Sequence, residues 1–474
     1  MERVESGVEI NGKAGVGRGA KTYAIKELAR RAGVSAEFFR SWRVEFEKDE
    51  THIYVSPGSQ KRIQFKHTAA PFWTELAEGT FRTARASWMQ EPPNSVSALV
   101  PDFVVPFCND VRTDGPPLFA AIDRDCVECP FDLPASALLT LSRWEETRDA
   151  DRDEHGRFTS RMSVACRDGF LHRPIVDEYG LGLEQALNYL LPQWRPKERK
   201  LRVKLSHDID EVGLSFNIKR ALGHTVRRRR LSATVRDLFG IVLGLNSAYL
   251  EAVRDAVQAS LDRGLHCAAY WQASPRSAFD SGYDIRHPKV KKMMSWLREH
   301  EVEQGVHPGY ETFRSPDRLR AEVEVLQEVL GERALGGRQH YLRWCPDSWL
   351  HWESCGLAYD SSVGYADQVG FRAGTCIPYR PWLLSINREA DLVEIPLIVM
   401  EATLLQKMGL TRKRIMDAIL DCVSRCRVVG GVFTLLWHNT SLVDPVLADL
   451  YEKVLNLLAE DEVLRWNSSR PELY

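Results

Sequence analysis

The chain has 474 residues, 44% of them hydrophobic, and a formal net charge of −2. That length supports two or three domains with ordinary cores, and the near-zero charge excludes a global field favouring nucleic acid or anionic membranes. Ten cysteines in so long a chain do not make a disulfide framework.

The first residues, Met1-Glu-Arg-Val-Glu-Ser-Gly7, carry no basic-then-apolar signal pattern. No apolar run approaches transmembrane length. The expectation is a cytoplasmic protein with reduced thiols. After a leader over 12–19, a helical segment is predicted from Lys21 to about Phe46. Within it, Ile25–Trp42 resembles a helix-turn-helix. Ala29 is the small residue, Gly33-Val34-Ser35 the turn, and Arg40 and Arg43 lie on the second helix. Helix pairs of this pattern often serve only as packing units, and that reading is preferred to nucleic-acid binding. Thr51–Lys66 reads as a β-hairpin around Pro57-Gly58.

Residues 67–190 mix short strands and helices. Cys126-Val-Glu-Cys129 has zinc-knuckle spacing. The nearest partners are Cys108 and Cys166, so buried thiols are expected there, as at Cys422 and Cys426. Phe131–Glu146 is predicted as a helix with an acidic end. Asp153-Glu-His-Gly-Arg-Phe158 reads as a polar turn holding its own ionic network through Asp153, His155 and Arg157. Residues 1–190 are thus expected to form an α+β domain of their own, preceding the rest of the chain. A basic stretch with Pro192 and Pro196 marks a linker over 191–200.

From residue 201 to 474, strands and helices alternate. Apolar strands are expected near 201–206, 265–270, 302–306, 392–399 and 432–437, and a shorter one ends at Tyr359. Leu201–Leu205 alternates apolar and basic residues like a half-buried strand. The helix from Pro288 to His300 points Val290, Met293, Met294 and Leu297 inward. Ser315-Pro316 opens another, which runs to Gly331 with Leu319, Val323, Leu326 and Leu330 inward. Such alternation implies a parallel sheet or an α/β barrel, whose functional groups gather at the carboxyl ends of the strands. Arg227–Arg230 is the exception. It reads as a solvated helix face, or as a site for a phosphate-bearing substrate or a lipid headgroup.

Asp208 and Asp210 stand at one strand end, and i, i+2 spacing places them on one side. Two crowded carboxylates repel, and a hard or borderline cation relieves that cost. His307 and His438 end two further apolar strands.

Five motifs follow in order: Ser206-His-Asp-Ile-Asp210, Gly305-Val-His-Pro-Gly-Tyr-Glu311, Arg338-Gln-His-Tyr-Leu-Arg-Trp344, Tyr359-Asp-Ser-Ser362 and Thr434-Leu-Leu-Trp-His438. This succession resembles the polysaccharide deacetylase superfamily, the carbohydrate esterases with a nodulation-type deacetylase domain. The resemblance implies a distorted (β/α) barrel over 201–474 and a divalent metal, expected to be zinc, held by Asp210, His307 and Glu311, with His340 as the alternative ligand. It also implies hydrolysis of an N-acyl, expected N-acetyl, group on a saccharide. Asp208 would act as base and His438 as the acid for the departing amine. Arg338 would orient Asp208, and Asp360 would orient His438. A backbone N–H near Tyr341 would help hold the oxyanion, and Tyr341, Trp344 and Trp437 would line the sugar pocket. Three departures stand out. Ile209 separates the usual adjacent aspartates, Glu311 replaces a second histidine, and His340 stands where relatives often carry proline. Without an export pattern, the expected substrate is a lipid- or nucleotide-linked glycan precursor. The rival expectation is a catalytically inactive barrel that binds carbohydrate or serves as a scaffold.

Overall fold

The computed structural model describes residues 17–47, 50–67, 81–108, 115–148, 151–213, 248–459 and 464–465. The Arg227–Arg230 run lies outside them. The mixed α/β architecture centres on a parallel sheet that curves into a half-barrel. Its strands run side by side in the order Val393–Glu394, Tyr359–Asp360, Gly336–Gly337, Glu303–Val306, His266–Trp271, Arg202–Ile209, Val432–Leu436 and Val399–Met400. Leu464–Arg465 adds to the start of the Arg202–Ile209 strand. The two edge strands are joined only through 395–398, a stretch that spans at most roughly 18 Å. The sheet must therefore roll until its edges approach one another.

The strand at 202–209 departs from expectation. It is buried on both sides rather than half-buried. Lys204, Ser206 and Asp208 share one face by the period of two and point into the barrel. There the Lys204 ammonium lies 2.5 Å from Glu303, and His266 lies 3.0 Å from the same carboxylate. The basic residue is thus neutralised inside, not solvated outside. The expected strand at 392–399 is two short strands, because Ile395-Pro396 interrupts the ladder. The strand Gly336–Gly337 carried no side-chain signal. A Cβ at Gly337 would sit 1.8 Å from the Val306 carbonyl, so only glycine admits this approach.

The helices Pro288–Glu299 and Pro316–Leu330 cover the sheet with the inward residues the sequence indicates. Each begins with proline, and Gly331 (φ 71°) ends the second. Ser315 contributes no side-chain cap; the His287 side chain caps the other helix instead.

Before the barrel, a five-stranded sheet runs in the order 43–46, 50–54, 62–66, 126–129, 120–123. It contains the expected 51–66 hairpin. The helix-turn-helix expectation is corrected. The first helix, Arg18–Arg31, is followed by a helix of only five residues, Ala36–Arg40, and Arg43 starts a strand. The first helix is buried against Leu133–Leu141 and Ile175–Leu190, which fits a packing unit. A Cβ at Gly180 would meet the Arg31 backbone at 2.5 Å, so the crossing helices touch backbone to backbone. Arg143, in the left-handed region at φ 54°, breaks the expected 131–146 helix. Cys126–Cys129 is a strand with both thiols buried.

The apolar core runs without interruption from the N-terminal helices to the barrel helices. Buried charges cross the same boundary. Arg31 donates to Asp177 (2.8 Å), which also accepts the Thr375 hydroxyl (2.5 Å) and the Cys376 N–H (2.8 Å). Arg372 donates from Nε to Glu146 (2.9 Å). Among the described residues, no helix is long and apolar enough to cross a membrane.

Candidate functional site

The strand 202–209 delivers Asp208 at its end and Asp210 just beyond. His307 follows Glu303–Val306, and His340 follows Gly336–Gly337 after two residues. These parallel strands are near neighbours in the sheet, so their carboxyl ends bring the groups together. Oδ1 of Asp210 lies 3.1 Å from Nε2 of His307 and 3.6 Å from Nε2 of His340. One donor atom from each of the three residues falls within 4.8 Å of the others.

Each imidazole is fixed from behind. Nδ1 of His307 donates to the Arg338 carbonyl oxygen at 2.7 Å. Nδ1 of His340 lies 2.8 Å from Oδ1 of Asp280. Both contacts place a proton on Nδ1 and leave Nε2, turned toward Asp210, as the atom that carries either a second proton or a metal ion. Ligands about 2 Å from a common zinc stand roughly 3–4 Å apart, and the two distances from Asp210 to the imidazoles, 3.1 and 3.6 Å, fall in that range. Burial works against charge on His307, but Asp208 and Asp210 outweigh it and raise its pKa. Burial likewise opposes the Asp210 carboxylate, yet His340, His307 and His438 hold its pKa well below the usual range.

Asp208 stands apart from that trio. Its Oδ1 accepts from Nη1 of Arg338 at 2.9 Å, and its Oδ2 is 3.7 Å from Nδ1 of His307. Arg338 is buried and also donates to the Ser206 hydroxyl, the Ser361 carbonyl and the Ser361 hydroxyl. It cannot swing away without losing all four bonds, so it fixes the orientation of Asp208.

His438 follows the strand Val432–Leu436. Its charge and those of Asp208 and Asp210 act on one another. Its Nδ1 lies 3.0 Å from both oxygens of Glu401. Burial opposes protonation, but the Glu401 carboxylate dominates and pushes the His438 pKa up to about 10. Glu401 also accepts the Ser441 hydroxyl at 2.7 Å.

Several expectations are corrected. Glu311 does not join His307. Its side chain is 61% exposed and lies 3.9 Å from Arg318. The turn Tyr310–Thr312 buries its outer residues and leaves Glu311 pointing away. His340 occupies the third position instead. Asp360 does not orient His438. It accepts from the Ser362 hydroxyl and N–H and sits in register with Glu394 on the next strand. Burial, together with the closeness of the two carboxyls, pushes the pKa of both upward. Trp344 and Trp437 do not wall a pocket, since both are at most 1% exposed. Trp344 packs on Trp349, and Trp437 on Tyr451. Tyr341 is open to solvent beside His340. It and Leu342 take left-handed backbone angles, φ 60° and 53°, which cost of order 1 kcal/mol each for non-glycine residues.

Glu401 and Asp280 escaped the sequence reading. Glu401 directly follows the strand Val399–Met400, and an acid at that place was a usable signal. Asp280 lies in a loop after the strand His266–Trp271, with no motif around it.

A family of unknown function, DUF7033, matches residues 18–192. No curated protein matches the chain. Among solved structures, the chain is similar to a "putative polysaccharide deacetylase" from Mycobacterium smegmatis at 15% identity and a TM-score of 0.39, covering 58% of this chain and 88% of that one. It is similar to a "probable polysaccharide deacetylase" from Pseudomonas aeruginosa PAO1 at 13% identity and a TM-score of 0.39, covering 59% and 92%. It is also similar to a "putative polysaccharide deacetylase involved in o-antigen biosynthesis" from Bordetella bronchiseptica at 14% identity and a TM-score of 0.32, covering 56% and 93%.

Proposed function

We propose that the protein is a metal-dependent hydrolase that removes an N-acyl group, acetyl in the first instance, from a saccharide. One observation carries this reading. A carboxylate and two imidazoles oriented from behind, Asp210, His307 and His340, converge beside a separate carboxylate, Asp208, and the His438 imidazole, held by Glu401, lies close enough for its charge to act on Asp208 and Asp210. We read these distinct groups as a ligand set, a base and an acid. The five sequence motifs that meet here support the saccharide as substrate class. We place the accessory domain at residues 1–190 and the hydrolytic barrel at 201–474. The substrate we favour is a lipid- or nucleotide-linked glycan precursor.

Asp210, His307 and His340 would hold the divalent ion, with zinc the best match to a mixed nitrogen and oxygen set. When bound, such an ion acts as a Lewis acid and lowers the pKa of water. Asp208 takes the proton from the attacking water at Oδ2, because Oδ1 is committed to Arg338. The backbone N–H of Tyr341 donates to the oxyanion. His438 gives its proton from Nε2 to the departing amine nitrogen, while Glu401 keeps Nδ1–H in place and the ring charged. An amine anion is too poor a leaving group to depart without that proton.

The test follows acetate and free amine released from N-acetylated chitooligosaccharides across pH, for wild type and Glu401→Gln. Activity requires the imidazolium form of His438. Its raised pKa comes from Glu401, so removing that charge lowers the pKa. The alkaline limb of kcat should then move to lower pH by at least about one unit. An alkaline limb that stays in place would remove His438 from the acid role.

A further inference from the structure

Asp153–Arg157 forms a turn organised by one carboxylate. Asp153 accepts from the N–H groups of His155 (3.0 Å) and Arg157 (2.9 Å) and from Nε of Arg157 (2.8 Å). Taken alone, these bonds describe a self-contained surface turn. The structure sets the turn against residues 340–343, far along the chain. Nη1 of Arg157 donates to the Tyr341 carbonyl at 2.8 Å. In return, Nε of Arg343 donates to the His155 carbonyl at 2.9 Å. The same guanidinium lies 3.7 Å from the centre of the Tyr310 ring. The His155 ring packs on Tyr341 with centroids 4.8 Å apart.

Two arginines thus cross between the turns, each bonding the backbone of the other. The clamp falls where the backbone is strained, at Tyr341 and Leu342. Non-glycine residues keep left-handed angles only where their surroundings over-determine them. Part of that determination comes here from residues 153–157, outside the barrel sequence. Tyr341 directly follows His340, packs against its ring and is exposed to solvent.

The geometry points to a working role for residues 153–157 in the hydrolytic site: Arg157 is a positioning residue that fixes the Tyr341 backbone, and so aims the N–H of Tyr341, while the ring of His340 stays held by Asp280. This inference rests on the hydrolytic reading proposed above. It makes the region before the barrel part of the active site rather than an independent module. Misplacing a donor by about 1 Å is enough to slow a reaction on the order of 10²-fold. The effect belongs to the transition state, so it should fall on kcat rather than KM.

The experiment uses the full-length, zinc-loaded protein with N-acetylated chitooligosaccharides as the probe. Wild type, Arg157→Ala and Arg157→Lys are compared for kcat, KM, bound zinc and amide hydrogen exchange over 338–344. Arg157→Ala should lower kcat by at least about tenfold and leave KM within about threefold. Zinc content should hold, and exchange over 338–344 should rise. Arg157→Lys, which restores one donor, should recover part of both changes. If Arg157→Ala does not fold, Arg343→Lys, which loses the planar fork at the reciprocal bond, carries the same expectation. An unchanged kcat overturns the inference, as does a fall in kcat with no change in exchange over 338–344. Failure of the hydrolytic reading shows separately, because zinc-loaded wild type would then release no acetate at all.

Discussion

Asp208→Asn should lower kcat by roughly 10²–10⁴-fold while KM and bound metal stay close to wild type. The substitution keeps shape and removes only the basic oxygen. Asp208 is not among the three converging donors, and its anchor is Arg338 at 2.9 Å. The same change leaves the buried Arg338 guanidinium with neutral partners only. Breaking a buried pair costs on the order of 3 kcal/mol, so the melting temperature should also fall. Activity must therefore be measured at a temperature where the variant is fully folded. Loss of metal along with turnover would show instead that Asp208 is a ligand.

The second large effect concerns the metal. His340→Ala should weaken metal binding by more than about 100-fold, and Asp280→Ala, which frees the His340 ring, by about 10–100-fold. Glu311→Gln should leave metal affinity unchanged, because Glu311 is exposed and its nearest charge is Arg318. Competition titration with a chromogenic chelator measures all three. Equal losses for Glu311→Gln and His340→Ala would contradict the placement of His340 in the site.

The contrast between Glu311 and His340 shows what local spacing conveys. An i, i+4 pair reads as two ligands on one helical turn. Pro308 and Gly309 prevent that turn, and the short 3₁₀ segment after them points Glu311 outward. Asp208, Asp210, His307 and His438 were legible because each ends an apolar strand, and strand ends converge in a rolled parallel sheet. The partner of His438 was not legible. Glu401 reaches it only because Val399–Met400 pairs with Leu435–Leu436, a contact between remote segments. Asp360 was the more visible acid in the sequence, but its strand sits beside Glu394, on the opposite edge of the sheet. The tryptophans failed for a different reason. Trp344 and Trp437 adjoin site residues in sequence, but their rings turn into the core. The turn at 153–157 read correctly as an ionic network, and nothing local indicated that Arg157 also bonds Tyr341.

The central claim is metal-dependent N-deacylation of a saccharide. Its most direct test is acetate and free amine release from N-acetylated chitooligosaccharides by the full-length protein, measured before chelation, after chelation and after zinc is restored. The account predicts acetate and amine in equal amounts, loss of both on chelation, and recovery with zinc. A protein that binds zinc one to one and yet releases neither product from these or from lipid- and nucleotide-linked N-acetyl sugars would contradict it.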